Sequence, residues 1–375
     1  MGWSTILISD IGSLPPRTST DTLWSGSRKA QSIIPLLGVR DDDYFVFRSE
    51  VVKAFTDKLL AGIEVPNYPQ FRDMNTMFFT LMEGFEKTSG GLMAVNNLEA
   101  KPEASIPEVD VIRKDSAEIR DASGSDRVRV KICVTGPYTL ASFFKLRTPN
   151  LFEALGNATG DILSRSMFSN KSAEVAHVCL DEPVLGFLND PLLDYGAEGR
   201  ESLMRAWEYV CRVASSRGVD TSMHLHDTSE NLFWDVKHLG SVMTHVGDPL
   251  YTQESAKQRL EETDKMLWAT VGVTQFDNLI SAYLAGQGFN GNMPEKIGET
   301  WTGIRVGSID PYIFLEEPAR MRKRLEGIAG FFGVERIAYA SPECGLSSFP
   351  SYDVALECLR MTSEAIDGFR RSLCG

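Results

Sequence analysis

Cysteine is sparse: six in 375 residues are too few for a disulfide scaffold. Basic residues are in deficit. There are 38 Lys and Arg against 51 Asp and Glu, a formal net charge of −13, which makes a poor general binder of nucleic acid or anionic membrane. No run of about 18 apolar residues exists, so no membrane-spanning helix is expected. Met1 to Ser13 has neither a basic n-region nor an apolar stretch of signal-peptide length, so the cytoplasm is the default compartment. Internal repeats and low-complexity tracts are absent, and no composition shift marks a linker. These absences predict one catalytic domain over 1–375. What remains, 43% hydrophobic and 24% charged residues, is the composition of a globular enzyme.

Strand-like runs alternate with longer helical patterns. The strands are read at 4–10, 62–66, 128–135, 175–181, 219–225, 241–246, 303–309 and 335–340. Helices are read near 43–61, 74–86, 139–168, 198–217, 229–239, 312–331 and 351–371. Eight strands alternating with helices predict an α/β fold, a parallel sheet closed as a (β/α)8 TIM barrel, with an open doubly wound sheet as the competitor. No Gly-x-Gly-x-x-Gly follows the first strand, which counts against a dinucleotide-binding sheet. Residues 88–127 are polar and turn-rich and predict a hairpin arm after the second strand. Residues 264–301 carry several glycines and read as an insertion before the seventh strand.

In a barrel, chemistry gathers at the C-terminal ends of strands. The polar residues there are Asp10-Ile11-Gly12-Ser13, the stretch Gln70 to Met74, Thr135-Gly136-Pro137, Asp181-Glu182-Pro183, His224-Leu225-His226, His245 with Asp248, Asp310 and Cys344. Three of the five histidines fall in this set. His224 and His226 are two apart, so on a strand they share a face, about 6.5–7 Å apart along it. With Asp248 or His245 from the next strand and Cys344 from the last, four ligands of a kind that suits zinc converge on one rim. The plainer alternatives stay open. The two histidines could be hydrogen-bonded interior residues, Cys344 a small buried residue, and Asp181 a helix cap. His177 and His238 read as structural.

Ile11-Gly12-Ser13, Thr135-Gly136-Pro137, Asp181-Glu182-Pro183, His-x-His at 224–226 and Pro342-Glu343-Cys344-Gly345-Leu346 resemble, in order and spacing, the cobalamin-independent methionine synthases. The likeness is to their C-terminal catalytic half and to the short core forms, and it runs over about residues 4–370. The wider group is that of zinc-dependent thiol alkyltransferases. The resemblance implies that Ile11, Gly12 and Ser13 hold a substrate carboxylate, that Asp181 and Gln70 face its amino group, and that Asp310 is a further substrate contact. It makes His224 and Cys344 metal ligands, with zinc as the ion and homocysteine as the thiol.

Two departures stand out. His226 occupies the place of the family's second cysteine. The carboxylate ligand, a glutamate in the family, falls by spacing on Asp248, with His245 close by. Exchanging thiolate for imidazole leaves the donor set one negative charge short and harder, so that iron enters as a competitor to zinc. Ser308-Ile309-Asp310-Pro311 stands where full-length synthases carry a histidine, and their second barrel is missing. Both features resemble the short forms, and they imply a methylated corrinoid, free or carried by a protein, as methyl donor. The competing readings are an epoxyalkane:coenzyme M transferase, an iron enzyme on the same barrel, and a non-catalytic binding protein or chaperone of the corrinoid carrier.

Overall fold

The computed structural model describes residues 6–30, 41–187 and 189–374. Residues 4 and 5 of the first expected strand and the side chain of Cys374 lie outside the described part. The strands are β1 Leu7–Ile8, β2 Met82–Thr88, β3 Gly91–Ala100, β4 Val128–Thr135, β5 Ala173–Glu182, β6 Asp220–Leu225, β7 Ser241–Met243, β8 Met266–Gly272 and β9 Ile337–Pro342. Seven of them form one curled sheet in the order β1-β9-β8-β7-β6-β5-β4, with every pairing parallel.

The eighth position is filled by a short extended segment that lies between β1 and β4. Glu64 and Val65 donate backbone N–H to Ile8 O, at 3.0 Å each. On the other side Lys131 N–H reaches Pro66 O at 2.9 Å and Tyr68 N–H reaches Lys131 O at 3.2 Å. These bonds carry the sheet round from its last strand to its first. The α/β barrel expected from the alternation is the fold observed. Helices wrap the outside, among them Asp42–Leu60, Pro149–Ser166, Glu198–Ser215, Pro318–Phe332 and Tyr352–Cys374.

The interior is layered, as inward side chains of a barrel must be. Lys131 lies 4.6 Å over the Trp268 ring. His177 packs edge-on against Trp268 and Tyr339, at 5.0 and 4.7 Å, and its Nε2 meets Ser222 Oγ at 2.8 Å. Lys58, fully buried, donates to Asp10 Oδ2 at 2.7 Å and to Gly12 O at 2.9 Å. His238 pairs with Glu208 on the outside. His177 and His238 are thus structural, as the sequence predicts.

The hairpin arm is β2 and β3, starting at Met82 rather than 88, and the helix expected at 74–86 stops at Thr80 to make room for it. The helix Thr20–Ala30 was not anticipated.

The seventh barrel strand needs correction. Residues 303–309 are not a strand: the helix Met293–Arg305 runs through their first half and a turn at Gly307 (φ +74°) ends it. Ile297, Trp301 and Ile304 recur at helical spacing and pack against the core, so Ile304 of the expected β run belongs to a helix face, while Val306 is exposed at the helix end and Ile309 lies past the turn. The true strand is β8, whose residues from Leu267 to Gly272 are all buried. Its continuous apolar run is what a strand covered on both faces looks like. The inserted helices therefore follow the seventh strand instead of preceding it. Asp310 is corrected with it: exposed, it accepts Tyr312 N–H at 3.0 Å and caps the short turn Pro311–Phe314, following a helix rather than a strand.

Candidate metal centre

Four side chains leave the barrel at strand C-termini and meet. His224 is on β6, and His226 is the second residue after it. His245 is two residues past β7, and Cys344 two past β9. One donor atom from each lies within 4.8 Å of every other. Cys344 Sγ is 3.6 Å from His226 Nε2, and the His226 and His245 rings are 4.1 Å apart at their centroids. Two ligands held at about 2.0 and 2.3 Å on a tetrahedral ion stand roughly 3.5 Å apart, so the sulfur and the imidazole are already at the spacing a zinc ion requires.

His224 is fixed on both ring nitrogens. Its Nδ1 pairs with Asp181 Oδ1 at 2.7 Å, across the β5–β6 register that sets Asp181 opposite His224. Its Nε2 donates to Glu343 O at 2.9 Å. A carboxylate behind a histidine fixes its orientation and raises its basicity, as in many metal sites. Burial draws the His224 pKa down, but the Asp181 carboxylate outweighs it and the net shift is upward.

The other donors are poised differently. Burial and then the His224 charge pull His226 down to about 4. Burial, with His226 and His224, pulls His245 to about 3. Both are neutral at pH 7, so each ring has one unprotonated nitrogen. His245 Nε2 is buried with no hydrogen-bond partner among the described residues; an orphaned acceptor aimed into a ring of donors suits a cation. Burial, followed by the Asp181 charge, pushes the Cys344 thiol up to about 12. A thiol so raised is a poor free nucleophile, which argues against a Cys–His nucleophile pair, whereas a bound cation would displace its proton.

Asp248 is corrected as a ligand. Its Oδ1 accepts Thr228 Oγ1 at 2.6 Å and Leu250 N–H at 2.8 Å, and its Oδ2 accepts Thr244 Oγ1 at 3.2 Å. It caps the turn Pro249–Tyr251, and it is His245 that joins the other donors. Spacing along the chain placed the right loop but could not tell which of its residues turns inward.

The expected substrate residues lie beside this cluster. Gly12 has φ +134°, and a Cβ there would come within 2.1 Å of Asn67 Nδ2 and 2.6 Å of Gln70 Oε1, so glycine is required. Gln70 N–H donates to Gly12 O at 3.2 Å, and Gln70 Nε2 donates to the Tyr68 hydroxyl at 3.1 Å. Leu346 N–H donates to Ser13 O at 2.9 Å, and Gly345 packs against the Ser13 side chain. Ser13 thus abuts the Cys344 loop, Gly12 and Gln70 pack on one another behind it, and Asp181 is tied to His224.

Glu182 explains two motifs as architecture. Its carboxylate accepts the backbone N–H groups of Tyr138 and Thr139, the Thr139 hydroxyl and the Trp207 indole N–H, at 2.7–3.0 Å. It caps the helix Pro137–Ala141 and so fastens Thr135-Gly136-Pro137 to Asp181-Glu182-Pro183.

No family model and no curated protein sequence matches this chain. Among solved structures it is similar to a B12-independent methionine synthase from a Shewanella species, over 99% of both chains, with a TM-score of 0.62 and 14% identity. At that identity the likeness establishes the fold. A looser overlap, TM-score 0.39 at 10% identity over 96% of both chains, is with the homocysteine methyltransferase MmuM from Escherichia coli; it is too loose to bear on function.

Proposed function

We propose that this chain is a metal-dependent thiol methyltransferase of the methionine-synthase type, with His224, His226, His245 and Cys344 as its ligands. The observation that carries the proposal is the convergence of those four donors at the C-terminal rim of the barrel. Three imidazoles and a thiol suit zinc, and iron is the competitor. When bound, the ion supplies a Lewis acid that lowers a substrate thiol from its usual pKa of about 8.5 into the neutral range.

The chain's own residues do the rest. Asp181 orients His224 and presents negative charge toward the amino end of an amino-acid thiol. Ile11, Gly12, Ser13 and Gln70 line the adjacent strand ends, where the carboxylate of homocysteine would lie. Holding thiol and donor in near-attack geometry is the larger part of the catalysis. Sulfur forms its bond to the methyl carbon as the donor's bond to that carbon breaks. The electron pair of the broken bond stays with the donor, and the thiol proton leaves to solvent.

The donor is a methylated corrinoid, free or on a carrier protein. All five histidines are accounted for at 177, 224, 226, 238 and 245, so the long connection between β8 and β9 offers no imidazole to protonate a folate leaving group. A sulfonate thiol such as coenzyme M is disfavoured because Asp181 would repel it. Purified protein is expected to contain one equivalent of zinc and to form methionine from homocysteine and methylcobalamin, measured by mass spectrometry. Turnover with methyl-folate alone would overturn the donor, and iron in place of zinc would overturn the metal.

A further inference from the structure

Four donors account for the metal centre but leave one group beside it unexplained. Glu343, the neighbour of Cys344, is 4% exposed. Its carboxylate makes no ion pair among the described residues; the nearby Arg324 is bonded to Glu316 instead. A buried carboxylate without a counter-ion is costly, and a neutral side chain could brace a loop without that cost.

Two of the contacts of Glu343 lead to the cluster and two to β8 and the loop after it. Oε2 accepts Val246 N–H at 2.8 Å, directly after His245. Oε1 accepts Thr274 N–H at 2.9 Å, just past β8. Its carbonyl oxygen receives His224 Nε2 at 2.9 Å, and its own N–H donates to Gly272 O at 2.9 Å. One residue therefore fastens β6 and the loops after β7 and β8 to the segment that carries Cys344. The donor set is also short of negative charge: one thiolate and three imidazoles, His224 having first released the Nε2 proton it gives to Glu343 O, would leave a divalent ion with an uncompensated positive charge. Asp181 already stands one layer out, behind His224, and Glu343 is a second carboxylate in that layer.

We propose that Glu343 is the positioning residue of this centre, holding His245 in place through Val246 and balancing the charge of a set with a single anionic member. This rests on the metal reading given above. Groups behind metal ligands typically change affinity by about 10–100-fold.

The test compares wild type with Glu343→Gln, which keeps the size and loses the charge, and Glu343→Asp, which keeps the charge on a shorter arm. Zinc affinity is measured by competition with a chromophoric chelator, and the site is viewed through the electronic spectrum of the cobalt(II) form. Glu343→Gln is expected to bind zinc about 10–100-fold more weakly. Its cobalt d–d bands should weaken as His245 departs, while the Cys344-to-cobalt charge-transfer band persists. Glu343→Asp should bind more tightly than Glu343→Gln; equal affinities overturn the charge argument. A Glu343→Gln protein with wild-type affinity and spectrum, but a lower unfolding temperature without metal, makes the residue a mere brace and overturns the proposal alone. A wild type that binds neither ion overturns the metal reading as well, before any variant is needed. Should Glu343→Gln not fold, hydrogen exchange on wild type decides: the Val246 and Thr274 amides are expected to exchange more slowly with zinc than without, and unchanged protection overturns the proposal.

Discussion

At the scale of single residues, the decisive assignment is between two neighbours in one loop. His245 leaves a buried nitrogen unpartnered, whereas Asp248 spends both oxygens on hydroxyls and a backbone N–H. The two make opposite predictions. His245→Ala is expected to lower metal content and zinc affinity sharply while leaving the folded protein intact. Asp248→Ala is expected to cost about 0.5–2 kcal/mol of stability, as lost caps do, and to keep the bound metal. Elemental analysis beside thermal unfolding separates them. His224, His226 and Cys344 were legible as a converging group from residue type and strand-end position. His245 stood only as an alternative to Asp248, because a loop's turn decides which side chain faces inward. Glu343 stood in the Pro342–Leu346 motif but without a role, since a carboxylate that binds backbone N–H groups looks like any other acid in a sequence.

At the scale of elements, the rim is held by caps between strands and short helices. Gly136 begins the helix Pro137–Ala141 from an ordinary extended conformation, φ −75°, so its requirement is steric. A Cβ there would stand 2.2 Å from the Glu182 carboxylate. Gly136→Ala is expected to destabilise by about 1–3 kcal/mol, as overpacking does, measured by denaturant unfolding. Wild-type stability would show that the cap between this helix and β5 carries nothing. The misread strand at 303–309 belongs to this scale too. A few apolar residues fit either period, and only the packing of Ile304 against the core, in line with Ile297 and Trp301, selects the helix.

At the scale of the whole molecule, the buried charges couple stability to pH. Burial pushes the Glu182 carboxyl from 4.5 up to about 7, against the pull of its four hydrogen bonds. A carboxyl with a raised folded-state pKa binds its proton more tightly in the native protein than in the unfolded chain. Its contribution to stability is therefore complete below about pH 4.5 and is lost as pH climbs through about 7. A shift of that size corresponds to roughly 3 kcal/mol. Wild type is expected to lose stability relative to Glu182→Gln between pH 5 and pH 8, about 3 pH units of thermal scans. Parallel curves for the two proteins would refute the assignment.

The alternation of apolar strands with helices was sufficient for the barrel, because hydrophobic period and chain direction are written locally. Residue types at strand ends were sufficient for a metal site, because imidazole and thiol side chains are few in this chain. Tertiary structure alone decided the rest. It closed the ring through residues 64–68, exchanged a false seventh strand for β8, and brought His245 rather than Asp248 to the other donors. It also set Glu343 behind three strand ends at once. Those outcomes depend on which distant groups compete for the same hydrogen bonds and the same buried space, and that competition exists only once the chain is folded.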